Sequence, residues 1–252
     1  MLKPFLFRCA ASLLACGLYA KSPNLVIILT DDQRYNDVGF NGCTDIPTPH
    51  LDKLAADGVK FTDGYVSFPV CGPCRAGLLT KRYQDHFGFT TNPTIDPGNP
   101  NAGLPNSEEN MAEVLKKANY SSAIIGKWHL GSHLSNHPLN RGFDHFFGFL
   151  SGGHSYFPEN YRLNDLSEVT RIWEWYNTRL MRDFERVDTS GYLTDVLTDA
   201  GANFIDAKAH GDQPFMLYLA YNAPHAPLQA TEKYLARFPN IQDQKRRDGQ
   251  LR

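Results

Sequence analysis

Several chemistry-bearing residues in this chain sit directly after apolar runs. Asn24–Thr30 (NLVIILT) ends at Asp31 and Asp32, Tyr120–Ile125 (YSSAII) leads through Gly126 to Lys127 and His129, and Pro214–Tyr221 (PFMLYLAY) is followed by His225. Paired carboxylates suit a hard divalent cation. An ammonium can neutralise an anion, and imidazoles, titrating near neutrality, can move protons. Taken one at a time, each has a plainer reading: turn acids, a solvated loop, a packed histidine between prolines. Their common position changes the balance, because ligands of open α/β sheets bind beyond the carboxyl ends of the strands. If the three runs are neighbouring strands, their polar ends face one crevice; strand order is not legible in the sequence.

A further segment reads Cys71-Gly72-Pro73-Cys74-Arg75, followed by Leu79-Thr80-Lys81-Arg82. Taken alone, the two thiols match the redox motif of thioredoxin-like proteins, in which a helix N-terminus lowers the first thiol's pKa. Val70, where those proteins carry an aromatic residue, argues against it, and the aspartates, Lys127, His129 and His225 stay unexplained. The longer frame, Cys71-x-Pro73-x-Arg75 with Leu79-Thr80-x-Arg82, resembles the signature of the sulfatase family. So do Leu29-Thr30-Asp31-Asp32-Gln33, Pro47–Asp52, Gly126-Lys127-Trp128-His129-Leu130-Gly131 and Ala223-Pro224-His225, in the same order.

The resemblance implies a hydrolase of aryl or carbohydrate sulfate esters with an alkaline-phosphatase-like α/β fold, a mostly parallel sheet flanked by helices. It implies that a formylglycine-generating enzyme converts Cys71 to an aldehyde. One hydroxyl of the hydrated aldehyde would attack sulfur and the other would later expel sulfate. Carried over by position, Asp31, Asp32 and modified Cys71 are expected to hold a calcium ion. Arg75 would hold the formylglycine hydroxyl, Lys127 neutralise sulfate or leaving-group charge, His129 act as base, and His225 bind sulfate or donate a proton. Two positions depart from the family: Cys74 stands where Ser is frequent, so that a Cys71–Cys74 disulfide could compete with conversion, and Lys81 stands where Gly is usual. No Ser-Asp-Asn/His-Gly-like segment with a second pair of metal ligands occurs, so the chain is expected to represent a C-terminally incomplete catalytic domain over residues 21–252. Rival functions are a phosphate or phosphonate monoester hydrolase, a thiol–disulfide oxidoreductase, and a non-catalytic remnant.

The elements that must position these groups follow from pattern. Pro49–Asp57 reads as a helix with Pro in its first turn and Gly58 at its end. Asn110–Ala118 reads as an amphipathic helix capped from Ser107 or Asn110, and Tyr192–Ala209 as a long helix. Asn24–Thr30 suits a strand buried on both faces, and Val59–Val66 a further strand. Thr90–Asn106 and Ser132–Leu166 read as long loops of the kind that carry function. His129, His133 and His137 recur every four residues, but Gly131 and Pro138 interrupt the helix a zinc site would need. Trp173, Trp175 and Tyr176 read either as an aromatic wall for substrate or as a packed loop, and Cys43 as a semi-buried thiol.

Composition sets the outer bounds. The 252 residues are 42% hydrophobic and 21% charged with a net charge of −2, which excludes a disordered tail and gives no electrostatic footprint for nucleic acid. Lys3 and Arg8 before the run Cys9–Ala20 predict an export signal over residues 1–20, too short to span a bilayer. Leu13-Leu14-Ala15-Cys16 also resembles a bacterial lipoprotein box with Cys16 as the lipidated residue. The expected location is therefore periplasmic or extracellular. Cleavage leaves Cys43, Cys71 and Cys74, an odd count that cannot close into disulfides.

Overall fold

The computed structural model describes residues 21–242; the expected export signal and Cys16 lie outside them. In chain order the elements are β1 (Leu25–Leu29), α1 (Pro49–Asp57), α2 (Cys71–Thr80), α3 (Met111–Lys117), β2 (Ser121–Lys127), β3 (His145–Phe149), β4 (Leu180–Arg182), β5 (Glu185–Val187), α4 (Leu193–Ala209), β6 (Phe215–Ala220) and α5 (Glu232–Leu235), with short 3₁₀ turns between them. The strands form one sheet in the order β1-β6-β2-β3-β4-β5. β1, β6, β2 and β3 are parallel, whereas β4 and β5 add antiparallel to the rim.

Alternation along the central strands builds two cores. Ile124 of β2 with Met216 and Tyr218 of β6 packs against Ala76 and Leu79 of α2 and Ala112 of α3. Their neighbours Ala123, Ile125, Leu217 and Leu219 face the other way, onto Leu193 and Leu197 of α4. A sheet with apolar side chains on both faces must be covered on both, and the α/β architecture is the result. α3 begins where a capping box forms: the Asn110 side chain accepts from the Ala112 and Glu113 amides, and Glu113 accepts from the Asn110 amide. No helix among the described residues is long and apolar enough to cross a membrane.

Three expectations need correction. β1 is not buried on both faces: it is an edge strand, and Leu25, Val26 and Ile28 are exposed. Its hydrogen-bonding neighbour is β6 on one side, with no strand among the described residues on the other. Val59–Val66 forms no strand, and Val59, Phe61 and Tyr65 project into solvent; apolar alternation does not make a strand without a partner to receive its hydrogen bonds. Conversely, β3 lies inside the segment read as a loop over Ser132–Leu166.

Two details of backbone prepare the site. Gly126 pairs with Ala220 on one side and Gly148 on the other, one row of small residues across three strands. At φ +111° a Cβ on Gly126 would stand 1.9 Å from the Ala220 carbonyl oxygen, so the strands close up here because no side chain intervenes. At the far end of α2, Lys81 is held left-handed at φ 57°. That conformation costs a non-glycine residue on the order of 1 kcal/mol. Lys81→Gly is therefore expected to raise the midpoint of urea unfolding by about 0.5–1 kcal/mol in stability, the gain being partly offset by glycine's freedom in the unfolded chain.

Candidate active site

The strand order brings the three sequence clusters together. β1, β6 and β2 are adjacent, and their carboxyl ends carry Asp31 and Asp32, His225, and Lys127 and His129 respectively. Backbone hydrogen bonds lock the exits: the Asp31 amide donates to the Ala223 carbonyl at 2.9 Å, and the Trp128 and His129 amides donate to the Phe149 and Leu150 carbonyls.

α2 supplies the remaining groups. Its first turn accommodates Pro73, whose missing N–H is not needed there. The Asn92 side chain accepts from the Gly72 amide at 2.8 Å, capping one orphan donor. Cys71 and Arg75, four residues apart, share a helix face. Arg75 reaches under the sheet end, donating to the Lys127 carbonyl at 2.8 Å and to the Tyr218 hydroxyl at 3.4 Å. Its other terminal nitrogen lies 3.7 Å from Asp31 and has no hydrogen-bond partner among the described residues.

The charges are buried: Lys127 is 0%, Arg75 1%, His129 4% and Asp31 6% exposed. The Lys127 ammonium donates to the Asp31 carboxylate. Burial alone would push the Asp31 carboxyl up, but Lys127 and Arg75 beside it outweigh that and hold it below the usual carboxylate range. Burial, reinforced by the positive charges of Lys127 and Arg75, pushes His129 well below the ordinary imidazole value, so it is a neutral base at physiological pH. Its Nδ1 is buried without a partner among the described residues.

Cys71 sits at the boundary of two hollows. One, of about 220 Å³, is lined by Asp31, Asp32, Cys71, Cys74 and Arg75; the other, of about 690 Å³, by Cys71, Asn92, His129, Trp173, Tyr176 and His225 among others. Ligand atoms of Asp31, Cys71 and His225 lie within 4.8 Å of one another. Asp32 is largely exposed, 3.8 Å from the Nε2 of His225. Two carboxylates and position 71 thus share the smaller hollow, a donor set that fits a hard cation, with His225 on its edge.

The rival chemistries find less support. Cys71 and Cys74 are free thiols, and burial together with Asp31 and Asp32 pushes the Cys71 thiol up, the reverse of what a redox nucleophile requires. The histidine triplet does not converge: His133 turns to Ser135, and His137 is packed between Phe146 and Phe184. Sequence reasoning missed Asn92, Tyr218 and Gly152. Their roles depend on contacts between distant segments, such as the Gly152 backbone against the His129 ring, where a Cβ would come within 2.7 Å.

Comparison with known proteins places the chain among its relatives. Mouse N-acetylgalactosamine-6-sulfatase is 39% identical over 233 residues, covering 90% of this chain and 44% of that protein. Mouse arylsulfatase J is 38% identical over 220 residues, covering 87% of this chain and 35% of that protein. Among solved structures, Ps i-CgsB in complex with k-i-k-neocarrahexaose superimposes with a TM-score of 0.83 at 41% identity, over 91% of this chain and 51% of that one. The chain thus spans about half the length of the relatives it matches or less. The family's members use a formylglycine and a divalent metal and act on sulfated substrates. The family model described as Sulfatase matches residues 23–251, and the chain belongs to the sulfatase family.

Proposed function

We propose that this chain carries the nucleophile half of a sulfuric ester hydrolase active site, in which Cys71 is converted to formylglycine by a maturating enzyme of the formylglycine-generating class. The observation that carries this reading is the burial of two cations, Arg75 and Lys127, against one carboxylate, that of Asp31, beside Cys71. The surplus positive charge, reinforced by the N-terminus of α2, suits an anionic ester. Calcium is the cation proposed, with Asp31, Asp32 and the oxygen at position 71 as ligands; bound there, it would acidify the attacking hydroxyl while the hydrated aldehyde supplies it. Arg75 orients that hydroxyl through its unpartnered nitrogen. Lys127 neutralises charge on the sulfate or leaving oxygen, which requires it to exchange Asp31 for substrate. His129, held neutral, accepts a proton, and His225 contacts sulfate or protonates the leaving group.

Residues 21–252 are read as part of the catalytic domain, following an export signal over 1–20 that places the protein in the periplasm or outside the cell. The substrate class is an aryl or carbohydrate sulfate, as in the names of the relatives. The test is co-expression with a formylglycine-generating enzyme, followed by tryptic mass spectrometry and turnover of 4-methylumbelliferyl sulfate. An aldehyde-bearing peptide at position 71 is expected, and Cys71→Ala should lower turnover by roughly 10³-fold or more. An unmodified Cys71 in active protein, or faster turnover of the corresponding phosphate ester, would overturn the reading.

A further inference from the structure

Ligand atoms of three different kinds converge beside α2. Those of Asp31, Cys71 and His225 lie within 4.8 Å of one another. Each comes from its own segment: the exit of β1, the first residue of α2 and the loop after β6. Carboxylate, thiol and imidazole together are not the donor set of calcium, which takes oxygen alone. They are the set of zinc and its thiophilic neighbours, which accept sulfur, nitrogen and carboxylate oxygen. The atom at position 71 therefore decides which metal this corner selects: sulfur in the thiol, oxygen in the hydrated aldehyde.

The imidazole is set up to ligate. Nδ1 of His225 lies 2.6 Å from the Ala226 carbonyl oxygen. A carbonyl only accepts, so Nδ1 carries the proton and Nε2 presents a lone pair. A hydrogen bond from the far ring nitrogen to a backbone carbonyl is the arrangement that orients metal-binding histidines and makes them better donors. The residue is also held from outside the ring. Its amide donates to the Asn222 carbonyl at 2.9 Å, and its carbonyl accepts from the Tyr156 hydroxyl at 2.8 Å. The Tyr176 ring, seated on Gly153 where a Cβ would come within 2.7 Å, meets the imidazole edge-on at 6.3 Å.

The other two ligands fit the same ion. Lys127 and Arg75 both make their closest approach to Asp31 at Oδ2, which leaves Oδ1 for a metal. Bonds of about 2.0–2.3 Å to a tetrahedral zinc set ligand atoms roughly 3.3–3.8 Å apart, so the three must draw in by about 1 Å. Rotation of the Cys71 and His225 side chains, both only half-buried, supplies that movement. Asp31, a Cys71 thiolate and the Asp32 carboxylate, 3.8 Å from Nε2 of His225, bring the negative charge that a divalent ion needs beside two cations.

We infer that the chain with its Cys71 thiol intact binds a zinc-class divalent ion through Cys71 Sγ, His225 Nε2 and Asp31, at a site lost once oxygen replaces sulfur at position 71. Binding exchanges the S–H bond for an S–Zn bond; the proton passes to solvent and nothing changes oxidation state. Three protein ligands leave one tetrahedral position, which water fills. The ion covers the thiol on which maturation acts, so zinc and the maturating enzyme compete for one sulfur. Only this last consequence rests on the sulfatase reading; the site itself does not.

The test titrates Co²⁺ and then Zn²⁺ into the reduced, metal-free 252-residue chain. Cobalt should give a thiolate charge-transfer band in the near ultraviolet and the visible bands of a tetrahedral ion, and Zn²⁺ should bleach both. Excess Ca²⁺ should bleach neither. Cys71→Ser should abolish the charge-transfer band, and it and His225→Gln should each raise the zinc Kd at least about tenfold. Cys74→Ser, whose sulfur is not among the converging atoms, should keep the band. A thermal melt without metal shows that each variant folds, and a zinc-induced rise in melting temperature reads binding a second way. No band in the parent, a band that survives Cys71→Ser, or a zinc Kd unchanged in either ligand variant marks adventitious binding and overturns the site. That failure leaves the sulfatase reading standing, since it needs oxygen at position 71. A Cys71 that resists conversion would end the sulfatase reading and leave the zinc site in place.

Discussion

Asp31→Asn should lower stability by about 3–5 kcal/mol, read as a fall in the urea unfolding midpoint. Among the described residues the carboxylate is the one negative charge in an ion pair with both Arg75 and Lys127, and all three are buried. Removing its charge leaves two cations in the interior without a counterion, the costliest way to break such a cluster. Asp32→Asn, on an exposed side chain 3.8 Å from His225, should change stability by less than about 0.5 kcal/mol. Neighbouring residues of one type thus separate by several kcal/mol. The surplus charge also predicts that added sulfate raises the melting temperature of Asp31→Asn more than that of the parent chain. If Asp31→Asn melts within about 1 kcal/mol of the parent, the buried lysine is not charged as described, and the electrostatic basis of the site is wrong.

Gly126→Ala is the second large effect. The new Cβ would meet the Ala220 carbonyl at 1.9 Å, at a φ of +111° that side chains rarely adopt. Gly148 faces the same peptide from the other strand, its own missing Cβ 2.0 Å from the Gly126 carbonyl. Neither β6 nor β3 can yield without breaking the parallel pairing, so a loss of about 3 kcal/mol or more is expected. Lys127, the next residue, would be displaced from Asp31. The control is Gly201→Ala on α4, whose Cβ would meet methyl groups of Leu219 and Leu217 at 3.3–3.7 Å and no backbone atom among its three nearest neighbours. That change should be neutral to stabilising by up to about 1 kcal/mol, because alanine favours helix. Equal behaviour of the two variants in thermal unfolding would show that the narrowed row of strands is not rigid.

How much of this was legible beforehand differs from element to element. Pro49–Asp57 carries its own start and stop signals, and the structure reproduces those bounds. The polar residues after NLVIILT, YSSAII and PFMLYLAY were visible as strand-end groups because a parallel strand has a simple apolar signature, which the edge strand β1 carries as fully as the buried β2 and β6. That their strands are neighbours was not visible, since pairing is decided by which faces the helices cover, a property of the whole chain. The β4–β5 hairpin escaped notice because its turn passes through Asp183 at φ 53°, with no glycine to mark it. β3 (HFFGF) is short and set among Gly and Pro residues, and its strand character comes from docking beside β2. The Val59–Val66 segment shows the converse, a pattern without a partner. At the site, residue types announced Cys71, Arg75 and the aspartates, but Asn92 and the Gly152–Gly153 seat depend on contacts that only the fold creates.

The arrangement of tryptophans has a practical outcome. Trp128 is wholly enclosed, its indole N–H donating to the Asn136 carbonyl at 2.9 Å, while Trp173 stands in water at the rim. Their emission should separate by colour: the enclosed indole reports the integrity of the sheet, and the wet one reports whether the hollow is occupied. Once the third tryptophan, Trp175, whose ring lies 5.5 Å from that of Trp173, is replaced by Phe, the molecule carries two built-in optical gauges, and ligand titration can be told apart from unfolding in a single cuvette.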